Sequence, residues 1–489
     1  MEHRARFPNW ARCSSGAGAL AVAVALGGCS LAPAYHPPVT AIPAAYKELP
    51  PGWAAANPGD AQPRGNWWAL FADPELDRLE RRIEQDSPAL AAALARYDRA
   101  RAAAQEAGAD LYPQLAVGAD AERERISGRR PLGLAPATYD DLTIGGSLDY
   151  EIDLWGRVRN AVRAGRADAE ASAADLASVR LSLQASLADA FFRLRGLDAE
   201  AALLNDTVVA YGRALDLTNT RHEGGIASGL DVSRAQTILS NARAQISATA
   251  NERAATEHEI AALVGEVAST FSIAPARETL AYPQVPLDTP SGLLQRRPDI
   301  AAAERRIAAA NARIGVARAA MFPSLTLGGA GGFEATHGSL LSSPASFWAL
   351  GPLSVALSIF DGGRRAAEVR ISRADYDEAA ADYRTTVLTA FREVEDSLAA
   401  ARTLAVQAGD QETAATAAGR TRDLALVRYR DGASDYLEVV TAQTAALDAE
   451  RAAIAIQTAR MRAAVSIIRA MGGAGQDGAQ AASASHPAG

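Results

Sequence analysis

Hydrophobic and polar residues alternate along the segment 142–154, where apolar side chains are separated by threonine, serine and acidic residues. A period of two is typical of a β-strand that has one apolar and one polar face. Similar but weaker or shorter alternations begin at Leu115, Leu325 and Leu353, so the pattern predicts four strands. Strands of about 10–14 residues are long enough to cross the hydrocarbon of a bilayer when they are tilted.

Two much longer segments, 157–222 and 364–428, lack proline and carry small or apolar residues at alternating steps of four and three. This spacing is typical of a coiled-coil seam. A helix of about 65 residues is about 100 Å long, which exceeds the size of a globular domain. Each long helix is predicted to end in a tight Gly/Ser turn, followed by a return helix at 230–264 or 436–471.

The two turns belong to an internal repeat. Asp231 and Glu438 occupy equivalent places in Leu-Asp-Val and Leu-Glu-Val, about 207 residues apart, and Ala-Gln-Thr follows each at the same distance. A repeat on this scale indicates one architecture used twice. The predicted organisation is a signal peptide (1–28), an N-terminal tether or equatorial segment (29–72), repeat 1 (73–264, with a β-hairpin at about 111–155), a mid-chain equatorial link (265–297), repeat 2 (298–471, with a β-hairpin at about 323–361) and a flexible tail (472–489).

The N-terminus has the features of a secretory signal. Three arginines among the first twelve residues precede a short apolar run at 19–26, which is too short for a transmembrane helix. The residues Leu-Gly-Gly-Cys that end at Cys29 resemble a bacterial lipobox, and that resemblance implies that Cys29 is acylated and becomes the first residue of the mature protein. The other cysteine, Cys13, would be removed with the signal, so no thiol would remain for a disulfide or a metal.

Composition excludes several classes of function. The net charge of −8 argues against a nucleic-acid surface, which requires a basic face. The six histidines are dispersed, and the motifs of phosphate-binding loops, zinc proteases and serine hydrolases do not occur. We therefore expect no enzyme activity, no metal and no cofactor other than the lipid on Cys29.

Strands with one lipid-compatible face cannot stand alone in a membrane, because open sheet edges leave backbone groups unpaired where water is absent. Single-chain barrels start at about eight strands, so four strands must be shared with copies of the same chain. A trimer with twelve strands would enclose an aqueous lumen, whereas a dimer with eight would leave almost none.

The order of short helix, hairpin, long helix, turn and return helix, given twice, resembles the outer membrane factor family, the TolC-like channels. The segment Tyr-Glu-Ile-Asp-Leu-Trp-Gly-Arg at 150–157 and Arg-Pro-Asp at 297–299 are similar to its NodT-type lipoprotein branch. The resemblance implies a mainly α fold with a β membrane part. It implies a homotrimer whose shared 12-stranded transmembrane β-barrel is continuous with a periplasmic α-helical coiled-coil barrel.

The resemblance also implies a function and partners. The trimer would be the passive, gated exit duct of a tripartite efflux system in the outer membrane, carrying small molecules such as drugs. It would contact outer-membrane lipid, a periplasmic adaptor (membrane fusion) protein and an inner-membrane transporter of the resistance-nodulation-division (RND) class. Two alternatives stay open: the outer component of a type I protein secretion system, and a periplasm-spanning structural lipoprotein without a pore.

Residues near the two turns match the family's periplasmic gate position by position. Asp231, Tyr429 and Glu438 correspond to polar latch residues, and Leu437 corresponds to an apolar constriction. Three copies of a leucine on a narrow axis would dewet the opening. The alternative is that Asp231 and Glu438 merely favour helix N-termini through the helix dipole.

The tips of the turns are candidates for contact with the adaptor, because small side chains let a partner approach closely. The candidate residues are Gly224, Gly225, Ser228, Gly432 and Ser434. Ordinary turn chemistry explains the same residues equally well. At Ser434 the family can have an arginine, and at Thr441 it commonly has an acidic residue, so the latch predicted here is weaker or uses other pairs.

Overall fold

The computed structural model describes residues 30–37, 46–48, 55–56, 65–129, 135–276, 282–283, 287–288, 296–336, 344–351 and 353–473. The predicted signal peptide, Cys29 and the chain after residue 473 lie outside these residues. Parts of the predicted tether and of the mid-chain link lie outside them as well.

Long helices account for most of the described chain. The α-helices within it are α1 (Pro74–Asp86), α2 (Pro88–Ala109), α3 (Arg157–Glu223), α4 (Gly229–Leu263), α5 (Pro298–Ala319), α6 (Arg364–Arg430) and α7 (Tyr436–Ala470). The strands within it are β1 (Ala55–Ala56), β2 (Gln114–Ile126), β3 (Ala137–Glu151), β4 (Leu287–Asp288), β5 (Ser324–Ala335), β6 (Phe347–Leu350) and β7 (Leu353–Ala356). The long helices α3 and α6 have 67 residues each and end one and two residues beyond the predicted positions.

The chain divides into two compact units. The strand-bearing unit comprises the described parts of Met1–Pro38, Tyr97–Ser172 and Ala303–Tyr383. The turn-bearing unit comprises the described parts of Val39–Arg96, Ala173–Ala302 and Arg384–Gly489. Each unit therefore takes segments from both sequence repeats.

Helix α1 begins where the predicted repeat 1 begins, with Asp73 as its N-cap. The carboxylate of Asp73 accepts the N–H groups of Glu75 and Leu76 at 2.8 and 3.0 Å, and Pro74 fills the first helical position, where a missing N–H costs nothing. The break between α1 and α2 falls at Ser87, before Pro88. Proline disfavours helical backbone at the residue that precedes it.

The sheet of the strand-bearing unit is antiparallel throughout. Its strands are ordered β2-β3-β5-β6, and β7 also pairs with β5. The β2–β3 ladder is continuous from Gln114–Asp149 to Ile126–Ala137. Because residues directly opposite each other share a face, this register places the predicted apolar residues on one side and the predicted polar residues on the other.

The fourth predicted strand is present as β7, which begins at Leu353 as predicted, ends at Ala356 and pairs with the first part of β5. The four-residue strand before it, β6, was not predicted and pairs with the second part of β5. Pro352, which lies between them in the sequence and outside the described residues, has no backbone N–H to donate to a ladder.

A short 3-10 helix at Trp67–Phe71 was not predicted; its position falls within the predicted tether. Its two tryptophans and its phenylalanine are buried, and Phe71 lies 4.6 Å from the ring of Phe192 on α3. The indole N–H of Trp67 donates to the side-chain oxygen of Gln184. This end of the predicted tether is therefore part of the core of the turn-bearing unit.

The predicted coiled-coil seam of α3 is confirmed by burial. Leu187, Leu194 and Leu204 have no exposed surface, and Tyr211 is also buried. The hydroxyl of Tyr211 donates to the carbonyl of Gln443 on α7 at 3.0 Å. Burial raises the pKa of this tyrosine to about 12, so it stays a neutral hydrogen-bond donor.

The start of the mid-chain link is held by a buried carboxylate. Asp198 on α3 accepts from Nε of Arg253 at 2.6 Å and from the N–H of Ala276 at 3.2 Å. Arg253 also donates to the carbonyl of Ile273 at 2.7 Å. The charge of Asp198 is thus paired and hydrogen-bonded, as a buried charge must be.

Helix α3 approaches α7 closely at Gly196, where a β-carbon would lie 2.3 Å from the hydroxyl oxygen of Thr458. We predict that Gly196→Ala lowers the free energy of unfolding by about 1–3 kcal/mol, because overpacking forces the helices apart. Gly212→Ala is the matched control on the same helix, since its β-carbon would meet nothing within 4 Å. Alanine favours a helix by about 1 kcal/mol over glycine, so the control should be neutral or stabilising. Denaturant unfolding compares the two, and equal effects would contradict the close approach.

Candidate functional site: the paired helical turns

Both long helices end in the same backbone motif. Gly225 and Gly432 have φ angles of 73° and 77°, a conformation that glycine adopts without steric cost. After each glycine, the next N–H donates to a carbonyl five residues back, which is the geometry of a Schellman motif. The two pairs are Ile226 to Arg221 and Ala433 to Arg428, each at 2.8 Å.

The return helix α4 begins with a capping box. The Ser228 hydroxyl accepts the N–H of Asp231 at 3.2 Å, and the Asp231 carboxylate accepts the N–H and the hydroxyl of Ser228 at 3.1 and 2.8 Å. Arg234 lies 3.6 Å from the same carboxylate. The Asp231 carboxylate therefore makes its hydrogen bonds within its own turn. This is the stabilisation of a helix start that the sequence offered as the alternative to a latch.

The second turn uses a different cap. The Asp435 carboxylate accepts the N–H of Glu438 at 3.1 Å, so it takes the place that Ser228 has in the first turn. The carboxylate of Glu438 is left free of the cap and lies 3.5 Å from Arg428. Both of these side chains are about half exposed, so the pair contributes little stability.

Arg221 connects the two turns, and the sequence analysis did not identify it. One of its terminal nitrogens donates to the carbonyls of Tyr429 and Arg430 at 2.7 and 3.2 Å. Its guanidinium also lies over the Tyr429 ring, 4.6 Å from the centroid. The last carbonyls of a helix have no partner within the helix and carry partial negative charge. Arg221, at the end of α3, therefore supplies the hydrogen bonds and the positive charge that the end of α6 lacks.

The signal for this contact was present in the repeat but ambiguous. Arg221 and Arg428 occupy equivalent positions in the two copies, and basic residues favour the last turn of a helix. Only the packing distinguishes them, because Arg221 reaches across to the other turn whereas Arg428 faces Glu438.

Tyr429 lies inside the turn-bearing unit. It is 4% exposed and packs against Tyr436, with ring centroids 5.1 Å apart, in a cluster with Ala235 and Val439. Burial raises the pKa of Tyr436 to about 12. Within one chain, Tyr429 therefore holds the two turns together, and its role in a latch stays a prediction.

Leu437 and Glu438 face outward. Leu437 is 46% exposed, although it lies on the first turn of α7 between two buried residues, Tyr436 and Val439. The hydroxyl of Thr441 donates to the Leu437 carbonyl at 2.9 Å and so stays within its own helix. A half-exposed leucine is available to contact copies of itself, but the constriction stays a prediction.

The predicted tip residues lie at the surface of the turn-bearing unit. Gly224, Gly225, Ser228 and Gly432 are exposed and Ser434 is half-buried. The Ser434 hydroxyl oxygen is buried without a hydrogen-bond partner in the described chain. These positions fit both readings of the sequence, since the glycines are required by the turns and also leave the tips open.

Other kinds of site are not seen in the described residues. No group of three or more His, Cys, Asp or Glu side chains within them is placed to hold a metal ion. No helix among the described segments is both long enough and apolar enough to cross a membrane.

Comparison with known proteins identifies close relatives. The family described as outer membrane efflux protein matches residues 79–266 and 289–473. Outer membrane protein OprJ of Pseudomonas aeruginosa is 32% identical over 467 residues, which cover 95% of this chain and 96% of OprJ. The toluene efflux pump outer membrane protein TtgC of Pseudomonas putida is 32% identical over 451 residues, covering 92% and 93%. A solved structure of the outer-membrane channel OprN superposes with a TM-score of 0.83 at 30% identity, covering 91% of this chain and 99% of that one.

The bridge made by Arg221 predicts a measurable effect. Arg221→Gln removes both the carbonyl contacts and the stacking on Tyr429. We expect the free energy of local opening in both turns to fall by about 1–3 kcal/mol, which is measured as faster amide hydrogen exchange. Arg428→Gln is the matched control, because its exposed ion pair is worth at most about 1 kcal/mol. Exchange that rises equally in the two variants would show that Arg221 does not connect the turns.

Proposed function

This chain belongs to the outer membrane efflux protein family, and we propose that it forms the exit duct of a tripartite efflux system. It is an efflux protein of the outer membrane with a TolC-like fold. In the proposed assembly three copies form one channel, which a periplasmic adaptor joins to an inner-membrane RND transporter. Energy would come from the transporter, and the duct itself would be passive and without catalytic activity.

The open edges of the sheet carry this proposal. In the described chain β2 lies at one edge of the sheet and β6 and β7 lie at the other, so each edge presents backbone N–H and C=O groups without partners. The apolar face is also uncovered: Leu115 is 78% and Val117 is 84% exposed. Such a sheet is compatible with hydrocarbon only if copies of the chain close its edges.

The polar face is compatible with a water-filled interior. Residues that lie opposite each other on this face include Glu122 with Asp141 and Gln114 with Asp149. Asp120 and Glu334 lie on the same face, because both are paired with Thr143 of β3. An interior of this kind suits a polar channel. Three copies would supply the strands for an aqueous lumen, and two would not.

The named relatives support efflux of small molecules as the type of transport. TtgC is described as a component of a toluene efflux pump and OprN as an outer-membrane channel. The adaptor-contact surface proposed for this chain is the tip of the turns, at Gly224, Gly225, Ser228, Gly432 and Ser434. The gate proposed is Leu437 with Asp231, Tyr429 and Glu438 around it.

The lipid anchor on Cys29 is supported by the position of the next residue. The Ser30 hydroxyl donates to the side-chain oxygen of Asn160 at 3.0 Å. Asn160 lies in the first turn of α3, nine residues after the end of β3 at Glu151. The following backbone is fixed by α5, because Arg318 donates to the carbonyl of Leu31 and Asn311 donates to that of Pro33. Ser30, the residue that follows the proposed anchor, therefore lies at the junction between strands and helices, where the proposed membrane boundary falls.

The gate is tested by single-channel conductance. We predict that the wild-type trimer in planar bilayers has a low conductance and that Leu437→Ala raises it several-fold, because alanine removes most of an apolar constriction. Leu230→Ala is the matched control, since Leu230 is an exposed leucine at the equivalent position of the first turn. Unchanged conductance in Leu437→Ala would show that Leu437 is not part of the gate. A wild type without any conductance would contradict the proposal that the protein forms a channel.

The anchor is tested by mass spectrometry of the mature N-terminus. We expect the mature chain to start at Cys29 with a thioether-linked diacylglycerol and an N-acyl group, and Cys29→Ser to lose all incorporation of labelled palmitate. Cys13→Ser is the control and should incorporate label normally, because Cys13 is removed with the signal. A mature wild-type chain with an unmodified Cys29 would contradict the proposal.

A further inference from the structure

The apolar face of the sheet ends in arginines on one side only. Four successive β2–β3 pairs on this face are apolar or glycine: Leu115–Leu148, Val117–Gly146, Ala119–Ile144 and Ala121–Leu142. The next two pairs on the same face are Arg123–Asp140 and Arg125–Thr138. These two arginines lie toward the β2–β3 connection, the end of the sheet that is far from the helices.

The distance along the strand matches the thickness of a membrane. Leu115 and Arg123 are eight residues apart, or about 27 Å at about 3.4 Å per residue. A tilt of about 40° shortens this to about 21 Å along the membrane normal, close to the apolar band of about 25 Å in outer-membrane barrels. Arg123 would therefore lie at the level of the lipid headgroups of the outward-facing leaflet.

The two arginines are available for an external anion. The Arg123 side chain is 77% exposed and lies 3.8 Å from Asp140, which is itself exposed. Arg125 is exposed, and within the described chain its guanidinium has no hydrogen bond or ion pair.

Two arginines at the opposite end of the sheet are already occupied. Arg157 binds both carboxylate oxygens of Glu151, at 2.7 and 2.5 Å. Arg365 donates to Asp361 at 2.6 Å and also to the carbonyl of Ala320. Arg157 and Arg365, where the strands meet the helices, are thus neutralised by close carboxylates, whereas Arg123 and Arg125 at the far end are open.

We propose that Arg123 and Arg125 bind the phosphate groups of a phosphorylated lipid in the outward-facing leaflet, whose acyl chains lie along the apolar β2–β3 face. The guanidinium group matches phosphate because it donates two parallel hydrogen bonds to two oxygens. Arg123 would exchange its long contact with Asp140 for a charge-assisted one, and Arg125 would gain its first partner. This inference rests on the proposed membrane orientation of the sheet.

The test measures binding of fluorescent lipid A to the full-length trimer in detergent. Each arginine near an anionic lipid contributes a factor of about five, so we expect Arg123→Gln with Arg125→Gln to weaken binding by about 25-fold. The double lysine variant keeps both charges and should lose only a few-fold. Dephosphorylated lipid A should bind the wild type as weakly as lipid A binds the glutamine variant.

Arg364→Gln is the matched control at the helix-proximal end. Arg364 is 80% exposed and lies 3.8 Å from Glu368, much as Arg123 lies from Asp140, and its loss should leave lipid A binding unchanged. Binding that is insensitive to the double glutamine variant, or that falls equally in Arg364→Gln, would overturn the site. Conductance in planar bilayers separates this result from the proposed function, since the double variant should conduct like the wild type. A wild type that conducts no current but still binds lipid A would contradict the proposed duct without contradicting the lipid site.

Discussion

Backbone N–H and C=O groups that lack hydrogen-bond partners at the edges of one sheet constrain the rest of this architecture. An N–H or C=O group without a partner costs several kcal/mol in hydrocarbon, and the described sheet has such groups on β2 and on the side of β6 and β7. The apolar face shows that the sheet belongs in lipid, and the polar face requires water behind it. Only a closed ring of sheets from several copies satisfies both conditions.

The helices of each chain pack closely against one another. They associate through small residues, as the contact of Gly196 with Thr458 illustrates, and this brings the backbones of α3 and α7 close together. At the turns the chain closes its own helix ends with Arg221 and the tyrosine cluster. Leu437 on the first turn of α7 stays 46% exposed.

Periodicity and repetition predicted most of the elements, because strands, long helices and turns each have a local signature. The alternation at 142–154 predicted β3, and the Gly/Ser turns placed the ends of α3 and α6 within two residues. What the sequence did not reveal depends on contacts between distant residues. The burial of Trp67 and Phe71 requires α3 as a partner, and the unpredicted strand β6 forms by pairing with the second part of β5. Arg221 and Arg428 are equivalent in the repeat, and only tertiary packing gives them different partners. The proposed gate would depend on how copies meet on an axis, so neither the local pattern nor the fold of one chain determines it.

The number of chains in the purified protein tests this account most directly. Native mass spectrometry of the detergent-solubilised protein, with circular dichroism to verify the helical fold, measures it without any assumption about substrate or partner. The account predicts a complex of three chains that keeps its sheet only while it is assembled. A correctly folded single chain, stable in detergent with its strand signal intact, would contradict it.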